Sequence, residues 1–185
     1  MKKVIGIVGE IAAGKTTITK YLKEKYDTES SRFSDSLRDV LKRMYLQQTR
    51  HNLQILSTIL RENFGQSMIS DVMKQDIENK ESPIVITEGM RRPSDMTSLV
   101  EAYKDGFYVI YIKTDDKLRY ERLINRSENP DDQSKTWEEF QKECGQESEL
   151  KIKEIAEKAN FVIDNNGTLE ELYAQVDKII EKMKN

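Results

Sequence analysis

The stretch that decides the fold is "IGIVGEIAAGKTT", residues 5–17. Apolar residues interleave with glycine as far as Gly9, a turn-rich run follows, and the stretch ends in Gly-Lys-Thr-Thr. Gly9-Glu10-Ile11-Ala12-Ala13-Gly14-Lys15-Thr16 fits G-x-x-x-x-G-K-[ST] without a mismatch. It follows a run that reads as a buried strand and opens a helical pattern, which is the context such a loop requires. The glycines let backbone N–H groups curl around phosphate oxygens, and the helix opening at Lys15 adds its positive end. The Lys15 ammonium is expected to reach the outer phosphates and the Thr16 hydroxyl to ligate Mg²⁺. The nucleotide-contacting positions expected here are Gly9, Ala12, Ala13, Gly14, Lys15, Thr16 and Thr17.

Outward from this loop, apolar β-branched runs alternate with helical patterns. Residues 4–9, 84–89, 107–113 and 161–164 read as short buried strands, with 32–35 a weaker fifth. Helical stretches fall near 15–26, 36–48, 50–64, 66–80, 94–104, 116–127, 136–158 and 168–183. Strands alternating with helices predict an α/β fold, a parallel sheet covered on both faces. Such sheets bind ligands beyond the carboxyl ends of their strands. The gap between the second and third strands is about 48 residues, far more than the dozen or so a crossover needs. Residues 36–82 are therefore expected to form a helical insertion, with apolar stripes at Leu53, Leu56, Leu60 and Phe64 and at Met68, Ile69, Val72, Met73 and Ile77 that read as core packing.

The 185 residues suit one domain, 1–185, with a real core. The net charge of -3 gives no general attraction for nucleic acid, and 34% charged residues of both signs suit a soluble surface. No run of 18 apolar residues is present, so no membrane span is expected. "MKKVIGIVG" has too short an apolar run for a signal peptide and leads straight into the loop. One cysteine, Cys144, fits a reducing cytoplasm and, with a single histidine, His51, speaks against a zinc site. Mixed surface charge marks no subunit face, so monomer and homodimer both stay open.

The other strand ends carry the remaining candidates. Asp35 would stand at the tip of the second strand, orienting a phosphate oxygen or the water shell of Mg²⁺, or else capping the following helix. Arg38, one turn on, could clamp an acceptor phosphate or lie on the surface. Glu88 ends the third strand as the acidic residue of a second phosphate-site motif does, binding Mg²⁺ through water. Gly89 permits close backbone approach, Arg91 offers a fork for a second phosphate, and Arg92 faces solvent. At 100° per residue Arg119, Arg122 and Arg126 share an arc of about 60°, either facing an anion or paired with Glu121, Glu128 and nearby aspartates. Residues 116–140 form the expected lid region, the polar segment 127–135 closing over the transferring group. Asn165, Asn166 and Gly167 make a turn before a helix capped by Thr168, with Glu171 placed for a capping box.

These pieces resemble the P-loop nucleoside monophosphate kinase family, with a likeness to its adenylate-kinase-related members and to dephospho-coenzyme A kinases. The resemblance rests on "GEIAAGKT", "SDSLR", "EGMRR", "KLRYERLINR" and "FVIDNNGTLEEL" and spans nearly the whole chain. It implies a three-layer fold with strand order 2-3-1-4-5, an acceptor-binding insertion and a lid. It also implies ATP and Mg²⁺ as cofactors and a small-molecule acceptor as partner. Lys15, Thr16, Asp35, Arg38, Arg91, Arg122 and Arg126 fall where that family handles phosphates and Mg²⁺. Asn165 to Gly167 fall near its adenine site. Ala12-Ala13 replaces the Gly-Ser of many relatives, which stiffens the loop. The expected reaction is phosphoryl transfer from ATP to a nucleoside or deoxynucleoside monophosphate. Two rivals are phosphorylation of a hydroxyl, as on dephospho-coenzyme A, and a nucleotide-gated binding protein.

Overall fold

The structure, a computed structural model, describes residues 2–126, 132–145 and 147–184. Five strands form one parallel sheet: β1 (Lys3–Val8), β2 (Glu29–Arg32), β3 (Ile84–Glu88), β4 (Phe107–Lys113) and β5 (Phe161–Asp164). Their order is β2-β3-β1-β4-β5, as the resemblance implies. Among the described residues nine α-helices fill the connections: α1 (Lys15–Tyr26), α2 (Asp35–Arg43), α3 (Arg50–Phe64), α4 (Met68–Glu78), α5 (Thr97–Tyr103), α6 (Asp116–Ile124), α7 (Trp137–Cys144), α8 (Glu147–Ala156) and α9 (Leu169–Lys184).

Alternation along the central strands builds two cores. Ile5, Ile7, Ile86, Ile110 and Ile112 point to the face covered by α1 and α9, where Ile18, Leu22, Leu172 and Val176 meet them. Val4, Val8, Val85 and Val109 point to the other face, against Met73, Leu99 and Ile155. Burial on both faces explains why these strands read as continuous apolar runs. The register sets the upper rim: Ile7 of β1 lies opposite Glu88 of β3 on one side and Ile110 of β4 on the other. Two residues past Ile86, the Glu88 side chain therefore faces the α1 side, where the loop's helix begins.

Several boundaries differ from the sequence reading, each for a local reason. The second strand is Glu29–Arg32 rather than 32–35. It is an edge strand, ESSR, whose polar residues give no apolar signal. The helix expected to run to residue 48 stops at Arg43. The N–H of Leu46 donates to the Leu41 carbonyl and that of Tyr45 to Lys42. This is a Schellman stop with Tyr45, φ 58°, in the left-handed position usually held by glycine. The long helix 136–158 is two helices, α7 and α8, parted at Gly145. The stretch 94–104 begins as a 3-10 turn, Pro93–Met96, before α5. Finally, α6 ends at Ile124, so Arg126 lies beyond it and the three arginines do not share one helix face.

Candidate functional site

The loop between β1 and α1 is built so that its amides face inward. Gly14 is the residue before α1, with φ 102° and ψ 16°, and no side chain caps the helix. The first turn of α1 carries no acidic residue, so its N–H groups and positive end are left for an external anion. A Cβ on Gly14 would collide with the side-chain amide of Asn165. One on Gly9 would stand 3.1 Å from both the Ile112 carbonyl and the Ala13 Cβ. Ala12 holds φ 59°, left-handed for an L-residue. Lys15 folds back over the loop: its ammonium donates to the carbonyls of Gly9 at 2.6 Å and Glu10 at 2.8 Å. Thr16 is exposed in the first turn of α1, and Thr17 is half-buried behind it.

Beside the loop, Glu88 is buried, and among the described residues its carboxylate accepts no hydrogen bond, while its main-chain carbonyl accepts the Phe33 N–H at 2.9 Å. Gly89 has φ 89° with only Phe33 within 4 Å of a notional Cβ, so glycine serves the backbone turn here. Arg91 and Arg92 both donate their backbone N–H to one oxygen of Asp95, at 2.8 and 3.0 Å. The other Asp95 oxygen is held by Arg61 of α3, and the pair is almost fully buried. Arg61 also donates to the Gln66 carbonyl at 2.6 Å. The helical insertion is thus tied to the turn that carries Arg91. Neither Arg61 nor Asp95 shows itself in the sequence, because nothing local marks a pair 34 residues apart.

The exposed Asp35 is the first residue of α2, and its carboxylate accepts the Arg32 N–H at 3.0 Å. It pins the turn before the helix rather than standing at the helix cap, which is Ser34. Arg38 is half-buried and makes no side-chain hydrogen bond among the described residues.

The three arginines after β4 go to three places. Arg119 is buried; its guanidinium donates to the Ile11 carbonyl at 3.1 Å and to Asp116 at 2.6 Å, and lies 5.2 Å from the Phe140 ring centroid. It lines a cleft of about 400 Å³ with Glu10, Tyr111 and Lys153. Tyr111 donates to the Glu10 carboxylate at 2.9 Å, and burial together with that carboxylate pushes its phenol well above the usual tyrosine range. Arg122 donates from one nitrogen to the Asn165 carbonyl at 3.0 Å, while its other terminal nitrogen is buried with no hydrogen-bond partner among the described residues. Burial pulls the Arg122 pKa below its ordinary value. Arg126 pairs with buried Asp132 at 2.8 Å. Arg119 and Arg126 thus each meet an aspartate. Residues 127–131 of the expected lid segment, with Glu128, lie outside the described residues.

At β5, the side-chain amide of Asn165 donates to the Ala13 carbonyl at 2.8 Å. Asn166 instead accepts the Asp115 N–H at 2.8 Å, and Gly167 packs against the Glu171 carboxylate. Thr168 and Glu171 exchange the two bonds of a capping box, at 2.9 and 3.2 Å. The resemblance put this turn near an adenine site; the sequence did not show that Asn165 reaches the loop, together with Thr114, whose hydroxyl also donates to the Ala13 carbonyl at 3.1 Å.

The UPF0200 protein TK1334 of Thermococcus kodakarensis is 26% identical over 97% of both chains. The UPF0200 protein PH1008 of Pyrococcus horikoshii is 27% identical over the same shares. Among solved structures, shikimate kinase from Bacteroides thetaiotaomicron superposes with a TM-score of 0.65 at 14% identity, covering 99% of each chain. TT1252 from Thermus thermophilus gives 0.59 at 16% identity, over 98% of this chain and 97% of that one. The structural likenesses show a P-loop kinase-like fold. No described helix is long and apolar enough to cross a membrane. A family model described as an AAA domain matches residues 8–141, from the end of β1 through the phosphate loop to α7, and the chain belongs to that family.

Proposed function

We propose that this protein transfers the γ-phosphoryl group of ATP to a phosphate oxygen of a nucleoside or deoxynucleoside monophosphate. The observation that carries the reading is the loop itself, an uncapped helix start with the Lys15 ammonium already on its rim. Lys15 exchanges its two carbonyl partners for the outer phosphates of the donor. Asn165 to Gly167 border the nucleoside, and Arg122, held on the Asn165 carbonyl at 3.0 Å, adds positive charge beside them.

The residues present fit Mg²⁺. Thr16 presents a hydroxyl in the first turn of α1, and Glu88 is a buried carboxylate with no competing hydrogen bond among the described residues. A magnesium ion held there with phosphate oxygens would supply neutralisation of developing charge. Arg91, on the turn fixed by Asp95 and Arg61, and Arg38 hold the acceptor phosphate. Arg126 compensates charge on the group in transfer. A phosphate acceptor is anionic at neutral pH, so no strong general base is needed; alignment and charge compensation do the catalysis.

Acceptor-dependent ADP release tests this. Each nucleoside and deoxynucleoside monophosphate, and dephospho-coenzyme A, is supplied with ATP, with Lys15→Ala as control. At least one monophosphate should raise ADP release far above the acceptor-free rate. ATP loss to water alone, unchanged by every acceptor, would leave a nucleotide-gated binding protein as the account.

A further inference from the structure

The carbonyls of the loop are held from outside. The Ile11 carbonyl accepts from Arg119 at 3.1 Å, and the Ala13 carbonyl accepts from both Thr114 at 3.1 Å and Asn165 at 2.8 Å. All three donors are buried, with 4%, 7% and 4% exposure respectively. Each is itself fixed. Arg119 is held by Asp116 and stacked on Phe140. Thr114 follows directly on β4, and the main-chain N–H of Asn165 donates to the Lys113 carbonyl at 2.9 Å.

A trans peptide is planar, with its C=O and N–H antiparallel, and no peptide in the described chain is cis. Drawing the Ile11 and Ala13 carbonyls outward therefore turns the N–H groups of Ala12 and Gly14 the other way, into the cradle. The intervening Ala13 N–H is used within the loop, donating to the Glu10 carbonyl at 3.2 Å. Those of Ala12 and Gly14 have no hydrogen-bond partner among the described residues.

We infer that Arg119, Thr114 and Asn165 are positioning residues that set the phosphate loop in its anion-binding conformation before any ligand arrives. The inference rests on residues 9–16 being a phosphate cradle. It assigns Arg119 a different task from the direct anion contact considered for the arginine arc: it acts through the Ile11 carbonyl. Donors fixed in advance save the ligand the free energy of ordering the loop, so their loss appears as weaker phosphate binding. Thr114 and Asn165 converge on one carbonyl. Replacing Asn165 by Asp would set a carboxylate oxygen against the Ala13 oxygen, whereas a protonated acid can still donate to it.

The test uses inorganic tripolyphosphate, which has no base or sugar and so reports on the cradle alone. Its affinity is measured by titration calorimetry for the wild-type protein, Thr114→Val and Asn165→Asp, with thermal unfolding of each ligand-free protein alongside. Thr114→Val should bind about fivefold more weakly and Asn165→Asp about thirtyfold, since the second exchanges a hydrogen bond for a repulsion. The Asn165→Asp deficit should shrink as pH falls from about 8 to about 5 and the carboxyl gains its proton, a signature that lost packing would not produce. Thr114→Val keeps the side-chain shape and decides the question if Asn165→Asp does not fold. Affinities within about twofold of wild type in every folded variant, or a deficit independent of pH, would overturn the clamp while leaving the cradle intact. Failure of the wild-type protein to bind tripolyphosphate would overturn the cradle and the clamp together.

Discussion

Lys15 and Asp35 pose opposite questions at the scale of single residues. The Lys15 ammonium rests on the Gly9 and Glu10 carbonyls. Lys15→Ala should lower turnover by about a hundredfold or more while shifting the unfolding temperature by less than about 2 °C. Steady-state ADP release and calorimetry check the two halves. Asp35 gives its carboxylate to the Arg32 N–H, so Asp35→Asn should keep turnover on a monophosphate within about threefold. If the acceptor were a hydroxyl that needs a base, the same change would cost about a hundredfold. What the sequence displayed at this scale was the loop, because its chemistry depends on residue types at fixed local spacing. The partners of the loop were not displayed. Thr114 and Asn165 lie 101 and 152 residues from Ala13, and only the strand order β1-β4-β5 brings them beside it.

At the scale of elements, local chemistry that a sequence shows plainly survives in the fold. The Thr168–Glu171 capping box is one case. Thr168→Ala should cost about 1 kcal/mol and lower the unfolding temperature by about 3 °C, read by differential scanning calorimetry. Glu29, at the start of edge strand β2, accepts the N–H groups of Ser82 and Glu81 at 2.8 and 2.7 Å. The Ser82 bond foremost holds its carboxyl below the ordinary value. A depressed folded pKa adds stability above the unfolded value of about 4.3 and loses it as pH falls through the folded value. Glu29→Gln should therefore be less stable than wild type at neutral pH, with the gap closing below about pH 4 in denaturant titrations. Elements that broke a common pattern escaped the sequence. A polar strand gave no apolar run, and a tyrosine in place of glycine hid the end of α2.

At the scale of the whole molecule, the arrangement links a helical insertion to the rim of a parallel sheet. The buried Arg61–Asp95 pair makes that link, binding α3 to the turn that carries Arg91. Arg61→Met leaves Asp95 a buried charge without its partner and should destabilise the protein by about 3 kcal/mol. Because Asp95 also fixes the Arg91 backbone, the KM for the acceptor should rise more than that for ATP. Equal changes in both would make the pair a structural tie alone. The parallel sheet and the place of the loop at its rim were readable from alternating strands and helices, since that pattern leaves few ways to bury both faces. The long-range pairs that join insertion to rim were not. The most direct test of the central claim follows the label from ATP radiolabelled in its terminal phosphoryl group, incubated with Mg²⁺ and the acceptor that most accelerates ADP release. The account predicts label in the acceptor's diphosphate, in step with ADP and absent with Lys15→Ala; label recovered only as inorganic phosphate would contradict it.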